Sequence, residues 1–413
     1  MKSSFLKSLW AGVPVAAVMA VGMSAAKAGD WAEHWAELEV EHYGSVQLNY
    51  DYYPDDAQYA DQDDAMGNVD LRPQMVVMTN EYEFVLEPRV VVPHRGPAYV
   101  DLKEAFVNTS VADFDVLAGN TTVFWGKAEA VNLVDIINTK DYSRGLRSGE
   151  KQGMPMVRVM TALGPGDAEF YLLPHFVENR YADSRSRQRT SLPINQDTTR
   201  FVAGDDKNDP GFAFRYSGYM GDLDYGVSYF SGISRDPGFV IDGATMTLVP
   251  LYHEITQTGV DVQWIYGDTS FKAEVIRRTK QLNYSGVAED YNAGIFGVEH
   301  NYFGVMESNA DLAIFAEYAR DTRKEEAASG LQDDVFTGAI LSMNDVDDTQ
   351  IRVITSYDLD YYSKSVTAEI ERRIFDSITM EASLYAPAGL DVDEHNSSFK
   401  NDTRLHLGLK YSW

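Results

Sequence analysis

The 413-residue chain has no cysteine. That excludes a disulfide framework, a thiolate zinc site and a cysteine nucleophile. Basic residues are scarce: 35 Lys and Arg stand against 63 Asp and Glu, a formal charge of −28. Holding nucleic acid through its phosphates needs clustered Lys and Arg, so no nucleic-acid partner is expected. Beyond residue 28 there is no apolar run of the roughly 20 residues that a spanning helix requires. Pro/Ser linkers, internal repeats and low-complexity tracts are missing too, which argues for one domain. Catalytic signatures are equally thin. No Gly-x-Ser-x-Gly elbow precedes a helix, and no His-Glu-x-x-His occurs. The eight histidines, His94, His175, His253, His300 and His406 among them, are scattered. The chain is therefore expected not to be an enzyme and to need no cofactor or resident metal. Aspartate runs at 55–64 and 205–209 lack the spacing of an EF-hand loop. They read as solvated acidic loops, with loose divalent binding as the alternative.

What is present begins with an export signal. Lys2 and Lys7 precede an apolar run over 9–23, and Ala26-Lys27-Ala28 supplies the small-x-small cleavage pattern. Residues 1–28 are read as a signal peptide cut before Gly29. Its loss removes Lys2, Lys7 and Lys27 but no acid, taking the charge from −28 to −31. An exported membrane protein without spanning helices must be a closed barrel, since no other structure satisfies every backbone group in lipid.

The dominant pattern is alternation with period two. Leu405, Leu407, Leu409, Tyr411 and Trp413 fall on one face, with Arg404, His406, Gly408, Lys410 and Ser412 on the other. Val260, Val262 and Trp264 oppose Asp261 and Gln263, and Phe271, Ala273 and Val275 oppose Lys272 and Glu274. Segments of this kind run about 10–13 residues, the length of a tilted membrane strand. Eighteen are found between 42 and 413, sixteen being the alternative because 68–78 and 331–344 alternate poorly. Every second connection is short: 79–80, 110–112, 164–166, 219–221, 267–268, 302–307, 345–347 and 375. The others are mostly long: 54–67, 124–153, 178–208, 233–253, 281–290, 321–330 and 387–402, with only 93–97 and 358–360 brief. Short periplasmic turns and long outer loops are the asymmetry of outer-membrane barrels. The expected fold is thus all-β, an antiparallel up-and-down transmembrane barrel over 42–413. A periplasmic segment, 29–41, precedes it and reads either as a short helix from Asp30 to about Glu41 or as a frayed leader.

The terminal strand ending in Trp413 resembles the signature read by the barrel-insertion machinery, which implies that machinery as a partner. Residues 101–142 carry Gly119, Trp125, Gly126, Asn132, Asp135, Asn138 and Asp141 in order. That segment is similar to one in porin-like barrels related to the alginate-export type, at family level only. It departs where a basic residue often follows the glycine; here Asn120 does. The resemblance implies a basic channel suited to a polyanion, whereas the positions inferred to face inward are mostly acidic.

Two groups of residues are expected to carry function. The third outer loop contains Trp125, Lys127, Glu129, Asn132, Asp135, Asn138, Lys140, Asp141, Arg144 and Arg147. Folded inward, these charges of both signs would form a pore constriction, with Trp125 as wall anchor; the plainer alternative is a solvated outer loop. The second group is lumen-facing: Arg158, Arg215, Asp224, Asp261, Lys272, Glu274, Glu299, Glu317, Arg352, Glu369, Glu371, Arg373, Glu381 and Lys410. They can line a watery path or pair across a blocked interior. The expected function is a porin-like channel for passive diffusion of small hydrophilic solutes, favouring cations or neutral species. The alternative is a closed barrel serving a structural or surface-binding role, with 178–208 and 233–253 as its contact surface. Expected surroundings are outer-membrane lipid and lipopolysaccharide, and a homo-oligomer is compatible.

Overall fold

The computed structural model describes residues 39–144, 149–195, 197–327, 331–390 and 395–413. The signal peptide, most of the 29–41 segment and Arg147 lie outside them. Glu39–Glu41, placed above at a helix end, begin the first strand, Glu39–Tyr52.

The strands form because apolar and polar residues alternate, and they sort those residues inside out. Along Thr269–Leu282, Phe271 and Val275 are exposed, while Lys272, Glu274 and Arg278 are buried. A soluble sheet would bury the apolar set; this one turns it outward, as a wall facing lipid requires. Among the described residues, eighteen antiparallel strands join edge to edge. The last, Arg404–Ser412, pairs with the first through Ser45↔Ser412 to Tyr52↔Leu405. The barrel is closed, and eighteen is the count, so the weak alternation of 68–78 and 331–344 did not mark missing strands. Closure continues to the terminus, where Gly44 and Trp413 exchange backbone hydrogen bonds of 3.2 and 3.1 Å. The Trp413 ring lies across Gly44, where any Cβ would collide with it at 2.2 Å. Glycine is required there for the approach, not for its dihedral freedom.

Turns at one end are tight. Gly221 and Gly267, at φ 63° and 57°, supply the left-handed residue that two-residue hairpins need. Connections at the other end are long, and several fold back over or into the mouth. Lys140–Tyr142 pairs antiparallel with Glu150–Lys151 and parallel with Arg180–Tyr181. A second small sheet combines Arg200–Phe201, Gly238–Asp242 and Thr247–Tyr252. Arg187, fully buried, gathers three loops: it donates to the Asp55 and Asp56 carbonyls, the Asn401 carbonyl and the Asp64 carboxylate. The segments 178–208 and 233–253, expected as an outward contact surface, are thus packed largely against the barrel and each other.

Candidate functional site

The loop after Phe114–Thr121 enters the lumen for a reason visible in its composition. Val123, Trp125, Val134, Ile136 and Ile137 are apolar and have no place in water. Strand positions on the facing inner wall, among them Met154, Met156, Tyr171, Phe230, Ile255 and Ile276, are apolar too. Together they form the largest buried cluster, on the inside of the barrel. Trp125 packs edge-on against Tyr171, ring centroids 5.6 Å apart, with the Arg215 guanidinium 5.4 Å from its ring. Gly126, at φ 135°, turns the chain directly over Asn132, leaving no space for a Cβ.

Two wall carboxylates then pin the loop. Glu274 accepts from the backbone N–H groups of Lys127 (2.7 Å), Ala128 (3.1 Å), Leu133 (2.6 Å) and Val134 (3.2 Å). Glu317 accepts from those of Glu129 and Ala130, both at 2.8 Å. Hydrogen bonds to a charged group contribute about 1.5–3 kcal/mol each, and a fully buried carboxylate would be costly without them. The two requirements meet: each carboxylate satisfies the loop's backbone, and the loop's backbone solvates the carboxylate. At the loop tip Lys272 bridges Glu129 (2.6 Å) and Glu299 (2.8 Å), and Arg352 reaches the Glu129 carbonyl at 3.4 Å.

The rest of the loop is stitched by a charge network. Asn138 accepts from the Val123 N–H and donates to the Thr121 and Gln152 carbonyls. Asp135 pairs with Lys151 at 2.6 Å. Asp141 takes Arg89 at 2.9 Å and the Tyr99 hydroxyl at 2.8 Å. Arg89 also holds Asp70 and Glu150, and Arg72 and Lys103 converge on Glu150 as well. Although burial opposes ionisation, these three cations hold the Glu150 carboxyl at about 2. Arg144 contacts Asp51 (3.4 Å) and His406 (3.1 Å) on the strands that close the barrel.

The lumen is filled unevenly. Across the segment that carries the loop, Arg215 and Asp261 pair at 2.8 Å, with Asp261 fully buried. Arg158 shares this inward face, opposite Tyr171, and Lys127 lies 3.8 Å from Asp224. On the opposite wall, over Gln350–Asp358, Lys364–Phe375 and Ile378–Ala388, the register places Arg352, Glu369, Glu371 and Glu381 on the same inward face. There Glu369 and Glu371 are exposed. Glu371 stands directly opposite Glu381, which bonds Gln47 at 3.0 Å; Lys410 lies opposite Gln47 and Thr379. Arg373 differs from the others. It is drawn to Asp348 in a short turn, at the barrel end, because a register shift follows it.

Sequence reasoning named the loop and, as a separate group, the wall residues that the structure brings to it, but missed Asp70, Arg89, Glu150, Asp51 and the arginine hub at 187. Asp70 and Arg89 sit on strands whose pattern is interrupted by Pro73 and Pro88. The alternating parity of Asp70 and Arg72 was the available signal.

His253, just outside the barrel strands, ties the second small sheet to the wall. It is 4% exposed, and its Nε2 accepts the Leu282 N–H at 3.1 Å. Burial pushes this imidazole down to about 4. Once the segment is released the imidazole would titrate near 6.5. The undocked state therefore binds the proton more readily, and docking weakens as pH falls from about 6.5 to about 4, by about 2 kcal/mol. Amide protection over 247–253, taken relative to the intrinsic exchange rate at each pH, is expected to be lower at pH 4.5 than at pH 7, and His253→Asn should remove the difference. Equal protection in the wild type at both values would refute the imidazole's role.

No known family and no curated protein matches the sequence. Solved structures do resemble it. Wzi, an outer-membrane protein involved in group 1 capsule assembly in Escherichia coli and a carbohydrate-binding β-barrel, is 10% identical, with a TM-score of 0.53. The match covers 92% of this chain and 86% of that one. An engineered variant of the Rh. blastica porin is 13% identical, with a TM-score of 0.44, covering 91% of this chain and 100% of that one. The fold shared with Wzi is a closed antiparallel β-barrel, here of eighteen strands.

Proposed function

We propose that the chain is an exported Gram-negative outer-membrane channel through which small hydrophilic solutes diffuse passively. Solutes pass between the tip of the pinned loop and the acidic wall. The observation that carries this reading is the exposure of Glu369 and Glu371 on the inner face: charges left in water inside a barrel line a watery space. The loop residues 125–141 then act as the constriction, and the wall carboxylates favour cations and neutral solutes over anions. No covalent chemistry is assigned to the chain. Trp413, locked onto Gly44 at the seam, serves as the insertion signal, and residues 1–28 are removed on export.

A second reading, a closed barrel that binds at the surface, draws support from the loops folded over the mouth and from Wzi, described as carbohydrate-binding. Reconstitution separates the two. Purified protein in planar bilayers should give ohmic current steps, and proteoliposomes should swell in small sugars. Sealed membranes at high protein load would sink the channel and favour the closed barrel.

A further inference from the structure

Behind the pinned loop lies a cavity of about 190 Å³. Leu133, Ile136 and Ile276 give it an apolar side; Lys140, Arg235 and Tyr291 give it a polar one. Its acids are already matched. Asp135 takes Lys151 at 2.6 Å, Asp236 takes Arg278 at 2.7 Å, and Asp321 takes Arg323 at 2.6 Å. Arg320, also at the rim, is exposed on the outward register and does not enter the count.

Two cations remain without a carboxylate. Arg235 is 7% exposed and donates only to main-chain carbonyls, those of Ile137 at 3.0 and 2.8 Å and that of Ile233. Among the described residues Lys140 Nζ has no ion pair or hydrogen bond; only its backbone is engaged, the N–H donating to Asn179 and the carbonyl accepting from Gln152. Beside them the Tyr291 hydroxyl makes no hydrogen bond to a described residue, although the side chain is 5% exposed. The Arg323 guanidinium lies 3.6 Å from the Tyr291 ring centroid, and its Nη1 is buried with no partner. A buried guanidinium beside a half-buried ammonium, neither with a carboxylate in contact, favours an anion that joins them. Their charge is also the reverse of the whole chain's, at −28.

We propose that this cavity binds a small organic carboxylate. The charged end is held by Lys140, Arg235 and the Tyr291 hydroxyl, and the hydrocarbon part packs on Leu133, Ile136 and Ile276. Charge-assisted hydrogen bonds to a carboxylate are the strong kind, and the apolar side distinguishes such a ligand from inorganic phosphate. The proposal does not depend on the lumen conducting, because binding can be read in detergent without a membrane.

The test uses the purified full chain in micelles, titrated calorimetrically with benzoate, benzyl alcohol, benzylamine and inorganic phosphate. Benzoate should bind saturably, and the other three at least about tenfold more weakly. Lys140→Met and Tyr291→Phe should each weaken benzoate several-fold; neither removes a partner from the fold, so barrel circular dichroism should stay unchanged. Absence of saturable benzoate binding overturns the proposal, as does benzyl alcohol binding equally well. Phosphate binding tighter than benzoate overturns the organic class. Benzoate affinity untouched by both substitutions overturns the location.

Discussion

Replacing Glu274 and Glu317 together by alanine is expected to release residues 127–134 from the wall while leaving the barrel closed. Six backbone N–H groups lose their acceptors at once. At about 1.5–3 kcal/mol for each bond to a charged group, and allowing for non-additivity, several kcal/mol of docking energy disappear. The ends of the segment stay anchored, since Trp125 on one side and Ile136 and Ile137 on the other remain in the apolar cluster. The middle should therefore fluctuate within the lumen, not leave it. In planar bilayers single-channel conductance should rise by about twofold or more and become noisy, and protease should cleave near 127–134. Glu274→Gln alone should lie between, because an amide keeps one acceptor oxygen but brings a donor that faces the same N–H groups. Unchanged conductance together with unchanged protease protection would show that the apolar anchors suffice and the carboxylates do not position the loop.

The barrel was legible in the sequence because a lipid-facing wall imposes one rule on every strand, and most strands obey it plainly, 68–78 and 331–344 least. Even the inward charges were readable, since parity follows once one residue of a strand is placed. What the loop does was harder to read. Its destination depends on matching two apolar sets that lie far apart in sequence, Val134 to Ile137 on the loop and Ile255 and Ile276 on the wall. Inward-facing apolar residues such as Met154, Met156 and Phe230 were a usable signal, because a channel wall open to water has no use for them. The pins were less accessible still. Glu274 and Glu317 look like any other lumen acids in sequence, and their partners are backbone groups, which carry no residue identity. Loop packing over the mouth was missed for a similar reason: Arg187 binds three carbonyls, which carry no residue identity, besides Asp64 and Asp402 on two separate loops far away in sequence.

Reversing the charge of Glu369, Glu371 and Glu381 to lysine should convert any cation preference into anion preference. The three share the inward face of two adjacent strands, with Glu371 directly opposite Glu381. Like charges in that position are destabilising, and among the described residues neither makes an ion pair; Glu381 has only the Gln47 amide at 3.0 Å. Stability thus gives no reason for the pair, whereas a field across a watery passage does. The buried acids on the far wall cannot serve the same purpose, being committed to Lys272, Arg215 or the loop backbone. Mobile ions feel wall charges over a Debye length of about 10 Å at 0.1 M salt and about 3 Å at 1 M. In a KCl gradient near 0.1 M the reversal potential of the triple variant should therefore change sign, and the change should shrink at 1 M. Glutamine at the same positions should bring selectivity close to neutral. Swelling in uncharged sugars should hardly respond, because the substitutions alter charge more than bore. A reversal potential that does not move would place the ion path elsewhere in the lumen, away from this wall.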